Sequence, residues 1–308
     1  MKTSSFRFKA VPPFRLDYTA WALRRRPENI IDRFEEKSYK RLIVIDDLPV
    51  EIVAHQPDIK KAEIEVLLKS ENKNLFRKQE ETIKEILRQV LGMEKNLAGF
   101  YQQAKKEPLL KDLVDHFRGV KPPMFPTVYE AAVNAIACQQ LSLIVGILLL
   151  NRLTEDFGMS FKEDGKMLHA FPSPKDFVRT TPKQIRRLGY SFKKASALLS
   201  LSDGIRKGRL NLESIRSLDD NDALEELLKI RGLGMWSAQY IMLRGLGRVH
   251  LLPADDIGFQ DKLQNWLGLS KRPDYEGVKK LIGRFEPYGG LIYFHLLLKS
   301  LSENGYIV

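Results

Sequence analysis

The chain has 308 residues, long enough for two domains and a core of ordinary size. Lysine and arginine outnumber aspartate and glutamate by 50 to 39, and the net charge of +11 suits a polyanion such as nucleic acid as well as plain solubility. Cys138 is the single cysteine, which excludes a disulfide framework, a zinc site and a four-cysteine iron–sulfur cluster. His55, His116, His169, His250 and His295 lie far apart, without metal-ligand spacing. The opening MKTSSFRFKA lacks the apolar core of a signal peptide, and the longest apolar run, 143–150, is too short to span a bilayer. A soluble, cytoplasmic protein with no membrane partner is expected.

The first 70 or so residues differ in texture from the rest. FRFKA (6–10) and AEIEVL (62–67) alternate with period two, RLIVI (41–45) is β-branched and apolar, and EIVAH (51–55) has the same character, so four strands are expected. TAWALRRRPENIIDRF, between the first two, reads as part helical and is punctuated by Pro27, and SENKN (70–74) is a polar linker. Beyond it the pattern is helical. Ile83, Ile86, Leu87 and Val90 mark one buried helix face. KPPMFP (121–126) must be extended, because each proline excludes helix for itself or its predecessor. Thr127 and Glu130 stand in capping-box spacing at the start of TVYEAAVNAIACQQLS. Residues 181–201 read as a short helix, a turn at Gly189-Tyr190-Ser191 and a second helix. Asn221 or Asp222 is expected to cap a helix running to about Lys229, and a last helical stretch covers about 276–303.

Residues 230–236, IRGLGMW, break an apolar run on two glycines and restart it on a tryptophan. Gly232 and Gly234 let one helix end and another begin within a few residues. The restarting helix then offers free N–H groups at its positive end, suited to a phosphate oxygen, with only Leu233, Gly234 and Met235 beside them. By itself the pattern also describes an ordinary αα-hairpin closed by a glycine. Trp236 and Tyr240, one turn apart on one helix face, are core residues or a platform for an extruded base. Past Pro253, Asp255 or Asp256 begins another helix. Either both aspartates serve the helix end, or one caps while the other, kept ionised by the same dipole, is free for chemistry.

Taken together, LLKIRGLGMWSAQYIMLRGLGRVHLLPADD (227–256) resembles the helix-hairpin-helix signature of the base-excision DNA glycosylases, and within that superfamily it is most similar to the 3-methyladenine DNA glycosylase II branch. The likeness extends to VYEAAVNAIACQQLSLIVG (128–146), to RRLGYSFKKASALLSL (186–201) and to the opening PPFRLDYTAWALRRR (12–26), so it spans nearly the whole chain. The resemblance implies an α+β, mostly α fold. A small antiparallel-sheet N-terminal domain would cover 1–74. A helical domain over 75–308 would have two lobes, 128–250, and 75–127 together with 251–308. The implied partner is duplex DNA carrying a damaged base, bound by a monomer.

The same resemblance assigns roles. Asp256 is the catalytic residue, its ionised carboxylate stabilising positive charge on the deoxyribose and orienting or activating water, while Asp255 is structural. Trp236 stands where glycosylases that also cleave the backbone carry a lysine, which implies a monofunctional hydrolase. Trp236, Tyr240, Ile257 and Leu297 would line the base pocket, and aromatic faces attract cationic alkylated purines. Gly232, Leu233, Gly234 and Met235 would hold phosphates, with Gln139 and Gln140 at the DNA and Gln140 as the wedge that fills the vacated stack. Lys193 and Lys194, and Arg24, Arg25 and Arg26, are further candidates for phosphate contact. The main-chain carbonyls of Leu228, Ile230 and Leu233 match positions that hold a structural monovalent or divalent cation; no redox or organic cofactor is implied. Arg231 in place of a proline, Ile257 and Gly258 in place of bulkier residues, and Leu297 in place of a tryptophan depart from the branch and reshape the pocket. A different lesion, such as 8-oxoguanine, and a non-catalytic DNA-binding hairpin are the alternatives.

Overall fold

The computed structural model describes residues 2–71, 74–163 and 165–307. Near the N-terminus, β1 (Lys2–Lys9), β2 (Arg33–Glu35), β3 (Ser38–Ile45), β4 (Leu48–His55) and β5 (Glu63–Ser70) form an antiparallel sheet in the order β1-β5-β4-β3-β2. Ile64, Val66 and Leu68 alternate inward along β5, opposite Ala54 and Ile52 of β4 on one side and Phe8 of β1 on the other. Burying each such aliphatic side chain stabilises the fold by about 1.5–3 kcal/mol. The strands run longer than their apolar cores predict, because pairing with 67–70 draws in the polar Lys2–Ser5. The short β2 carries no run of its own and exists through its pairing with β3. Between β1 and β2 the chain forms α1 (Leu16–Arg24).

The remainder is helical: α2 (Asn74–Val90), α3 (Ala98–Ala104), α4 (Pro108–His116), α5 (Val128–Cys138), α6 (Leu143–Phe157), α7 (Pro182–Arg187), α8 (Phe192–Arg206), α9 (Asp220–Leu228), α10 (Met235–Arg244), α11 (Ile257–Leu267), α12 (Tyr275–Gly283) and α13 (Gly289–Glu303). Among the described residues no helix is long and apolar enough to cross a membrane. The expected face of α2 is the buried one, with Ile83, Leu87 and Val90 inside. Helix α5 is enclosed on every side, and its alanines at 131, 132, 135 and 137 let neighbouring helices approach closely. Thr127 caps it by accepting the Glu130 N–H at 3.0 Å, but the expected reciprocal bond is not made. The Glu130 carboxylate is committed instead to Arg41 of β3, at 2.6 and 2.8 Å.

Three further expectations change. Helix α9 is capped by Asp219, which accepts from the N–H groups of Asn221 and Asp222, so those two residues lie inside the helix as donors. The last helical stretch is two helices, interrupted around Pro287, which has no N–H to continue the ladder. A hairpin of β6 (Ser160–Glu163) and β7 (Lys166–His169) was not expected; its signal is alternation on either side of an Asp-Gly pair, and Gly165 takes φ +79°.

Beside a small third cluster of Leu42, Phe161 and Ala170, two large apolar clusters organise the described interior. One joins the inner face of the sheet to α2, α5, α6, α8, α9 and α10; the other joins α3, α4, α11, α12 and α13. The change in secondary-structure content near residue 74 is therefore not a boundary of the core. Helix α1 straddles both clusters, with Leu16, Ala20 and Leu23 in the first and Tyr18 and Ala22 in the second. Arg41, buried between Asp32 and Glu130 at 2.6 Å from each, ties the sheet to α5. Removing one member of such a buried cluster strands a charge and costs about 3–5 kcal/mol.

Candidate active site at the helix hairpin

Helices α9 and α10 form the hairpin foreseen at IRGLGMW. Ile230 and Leu233 are buried beneath it, and the Leu233 N–H donates to the Ile230 carbonyl at 3.1 Å to close the turn. The two glycines do different work. Gly232 has φ +92°, and a β-carbon there would lie 2.4 Å from that of Ala197 on α8, so both the backbone and the packing demand glycine. Gly234 has an extended backbone (φ −110°, ψ −174°) and serves as N-cap of α10 without a side-chain bond, and a β-carbon there would meet nothing within 4 Å. Nothing inside the protein needs glycine at 234, whereas a ligand approaching the free N–H groups of α10 would. Met235 beside it is exposed, as is Leu228, while the Leu228, Ile230 and Leu233 carbonyls belong to the turn itself.

Trp236 and Tyr240 stack, with centroids 5.3 Å apart and planes at 19°. Trp236 is half-buried, but Tyr240 is only 3% exposed and lies behind it, so Trp236 supplies the accessible aromatic face. Asp256 faces this stack from the start of α11. Its Oδ1 accepts the Phe259 N–H at 2.8 Å as N-cap, and its Oδ2 accepts the Trp236 Nε1–H at 3.1 Å. The division of labour expected between the aspartates is thus corrected: Asp256 performs the capping and also presents the fixed carboxylate, while Asp255 is exposed. One oxygen suffices for the cap, which leaves the other for the indole. The loop before it is held by the Asp256 N–H on the Pro253 carbonyl (2.9 Å) and by Gln260 Nε2 on the Ala254 carbonyl (3.0 Å).

Several titratable groups surround this carboxylate. Burial pushes the Tyr293 phenol, on α13, well above its ordinary value, and the nearby negative charge of Asp256 pushes it further. Burial lowers the Lys262 ammonium on α11, against the opposing pull of Asp256, and its Nζ donates to the Gly258 carbonyl at 2.8 Å. Burial raises the Cys138 thiol, while Arg25 and Lys194 draw it back down. Sequence reasoning missed Tyr293 and chose Leu297, one turn further along α13; that side chain is packed into the second apolar cluster. Both residues lie on one helix face, and periodicity alone does not say which turn meets Asp256. Ile257, next to the carboxylate, is 59% exposed.

The glutamine pair divides as well. Gln139 is half-buried, and its Nε2 donates to the Gly232 carbonyl and the Ser237 hydroxyl, both at 2.7 Å, so it braces the hairpin. Gln140 is exposed at the tip of the α5–α6 loop, in the left-handed region at φ +53°. A non-glycine residue held there is strained.

Residues 133–287, half of the chain, match the family described as HhH-GPD superfamily base excision DNA repair protein. The chain belongs to this superfamily. It is 27% identical over 219 residues, 71% of this chain and 72% of the relative, to a DNA-3-methyladenine glycosylase of Bacillus subtilis. In fold it is similar to a 3-methyladenine DNA-glycosylase from Archaeoglobus fulgidus, with a TM-score of 0.81 and 22% identity over 98% of this chain and all of that one. It is also similar to a Clostridium acetobutylicum 8-oxoguanine glycosylase/lyase in complex with duplex DNA, with a TM-score of 0.72 and 22% identity over 98% of each chain.

Within this HhH-GPD fold the basic residues proposed for phosphates are mostly committed internally. Lys194 Nζ donates to the Ala137 and Gln139 carbonyls at 2.9 and 2.7 Å, closing the C-terminal end of α5. Arg24 donates to the Phe34 and Pro27 carbonyls, Arg26 pairs with Glu28, and Arg25 is buried against Tyr240 and Asn134. A run of three arginines looks solvent-facing on paper, but the end of α1 turns inward and each finds an acceptor. Lys193 remains exposed.

Proposed function

We propose that this member of the HhH-GPD superfamily is a monofunctional DNA glycosylase that hydrolyses the N-glycosidic bond of an alkylated purine flipped out of duplex DNA. The observation that carries this reading is the Asp256 carboxylate, fixed by the cap of α11 and the Trp236 indole N–H, at the edge of an aromatic face. As the bond between C1′ and the base nitrogen breaks, its electron pair leaves with the base and positive charge grows on the sugar. A preorganised carboxylate stabilises that charge and orients the water whose oxygen bonds to C1′, and the proton that this water sheds passes through the carboxylate to solvent, leaving an abasic site. An alkylated purine is already cationic, so it departs readily and is drawn to the Trp236 face. Trp236 supplies no amine for a Schiff base, which favours water as the nucleophile. Gln140 fills the gap in the stack, and the N–H groups of α10 beside Gly234 take the phosphates.

A cation at the hairpin would be held by the carbonyl oxygens of Leu228, Ile230 and Leu233. A donor set of neutral carbonyl oxygens suits a hard monovalent or divalent cation. Such an ion would stiffen the turn. The test is base release from duplexes carrying 3-methyladenine, 7-methylguanine, hypoxanthine, 8-oxoguanine or uracil. Release of the methylated purines without strand cleavage is expected. Release of 8-oxoguanine alone, or cleavage at the abasic site without added base or amine, would refute the assignment.

A further inference from the structure

We infer that Arg25, at the C-terminal end of α1, is a positioning residue for the Asp256 carboxylate, acting through the Tyr240 phenol and the Trp236 indole. The inference rests on the reading of Asp256 as the group beside the reacting sugar. The contacts form an unbroken series. Arg25 Nη1 donates to the Tyr240 hydroxyl at 2.7 Å, and Nη2 donates to Asn134 Oδ1 of α5 at the same distance. The Tyr240 ring lies nearly parallel to Trp236 at 5.3 Å, and the Trp236 N–H reaches Asp256 at 3.1 Å. The guanidiniums of Arg25 and Arg244 both lie over the Phe125 ring, at 5.3 and 5.1 Å, and Arg244 also lies 6.0 Å from the Tyr240 ring. Tyr240 is therefore held at its hydroxyl and hemmed in at its ring, which restricts the plane that the indole stacked on it can take.

Two features of Arg25 exceed what a packing role needs. Its backbone is left-handed, φ +65°, a conformation that favours glycine at the end of a helix. Its charge is also buried, 4% exposed, and its hydrogen-bond partners are a phenol and an amide. Arg41, also buried, is compensated by two carboxylates, whereas Arg244, like Arg25, is buried without one. Burying a guanidinium against neutral acceptors is costly. That cost is explained if the two donors are needed to fix where Tyr240 points. Since α1 packs into both apolar clusters, Arg25 also gives the N-terminal segment a direct hold on the site.

The experiment compares wild type, Arg25→Gly, Arg25→Lys, Tyr240→Phe and the Arg25→Gly/Tyr240→Phe double variant. Glycine suits the left-handed backbone but leaves a cavity, so the fold of each variant is checked by urea denaturation, and Tyr240→Phe, which removes a single oxygen, keeps the test independent of that cavity. Single-turnover base release is measured on a 7-methylguanine duplex, and affinity on an abasic-site duplex. Small misplacement of a reacting group is enough for a loss of about 10-fold or more in rate with Arg25→Gly and with Tyr240→Phe, at unchanged affinity. Arg25→Lys, which reaches one acceptor, recovers part of the rate. The double variant is no slower than the worse single one, because both act through one contact. A full rate in Tyr240→Phe or Arg25→Gly, losses that multiply in the double variant, or a loss confined to affinity would overturn the inference while leaving the glycosylase reading intact. A wild type that releases no base from any lesion duplex would remove both.

Discussion

Asp256→Asn separates the structural and chemical duties of one side chain. The amide oxygen of asparagine can still accept the Phe259 N–H, now at 2.8 Å from Oδ1, so the cap of α11 survives. The amide nitrogen would then face the Trp236 N–H across the present 3.1 Å contact, donor against donor, and that bond is lost. A hydrogen bond to a charged group contributes about 1.5–3 kcal/mol when buried, and this carboxylate is half-buried, so a stability loss of about 1–2 kcal/mol is expected in urea denaturation. The charge itself is gone from the transition state. Loss of one preorganised electrostatic group costs about 2.7–4 kcal/mol, or a factor of about 100–1,000 in the rate of base release. Asp255→Asn is the control: that side chain is exposed, and both rate and stability should stay within about 0.5 kcal/mol of wild type. An Asp256→Asn protein that is folded and releases base within about 3-fold of the wild-type rate would contradict the assignment of the carboxylate to transition-state stabilisation.

The hairpin glycines should respond oppositely. Gly232→Ala forces a β-carbon to within 2.4 Å of Ala197 at φ +92°, and a loss of about 2–3 kcal/mol is expected in denaturation experiments. Gly234→Ala meets no atom within 4 Å, so stability should hold while affinity for duplex DNA falls by about 1 kcal/mol, the scale of one lost hydrogen bond; unchanged affinity would argue against phosphate contact at this helix end. Burial lowers the His295 imidazole to about 4, its Nδ1–H donating to the Leu291 carbonyl at 2.7 Å. A folded-state value below the unfolded value means that the unfolded chain gains the proton first as pH falls. Stability from this group is therefore present above about pH 6.5 and is lost progressively towards pH 4, by about 2 kcal/mol at pH 5. Urea denaturation of His295→Phe at pH 7.5 and pH 5 checks this: the variant should lose less stability than wild type on acidification, and an equal loss would refute it.

Much of the architecture was legible in local pattern. Period-two alternation marked the strands around Phe8 and Val66 and β-branched apolar runs those around Ile43 and Ile52, the i, i+3, i+4, i+7 spacing marked the face of α2, and Thr127 marked the start of α5. The hairpin and the Trp236–Tyr240 face were legible because turn chemistry and helical spacing are short-range and leave their trace in neighbouring residues, while Asp256 was singled out from Asp255 only by the family resemblance. Apart from the cap of α9, which is Asp219, what failed was long-range. Glu130 looked like half of a capping box, but Arg41, 89 residues away, took its carboxylate. Arg24, Arg25, Arg26 and Lys194 looked like surface charge, and Leu297 looked like the pocket residue of α13.

The order of side chains along the chain was thus enough to mark most strands and helices, the start of α5 and the glycines that form the turn, since each follows from backbone sterics and hydrogen bonding within a few residues. The caps of α9 and α11 and the break in the last helical stretch were settled by the structure. Only the tertiary structure decided that Arg25 reaches Tyr240, 215 positions away, that Gln139 braces the hairpin while Gln140 stays exposed, and that one carboxylate both caps a helix and faces an indole. Which acceptor a long polar side chain finds depends on what the packing of distant helices brings within about 3 Å of it, and no local pattern records that distance.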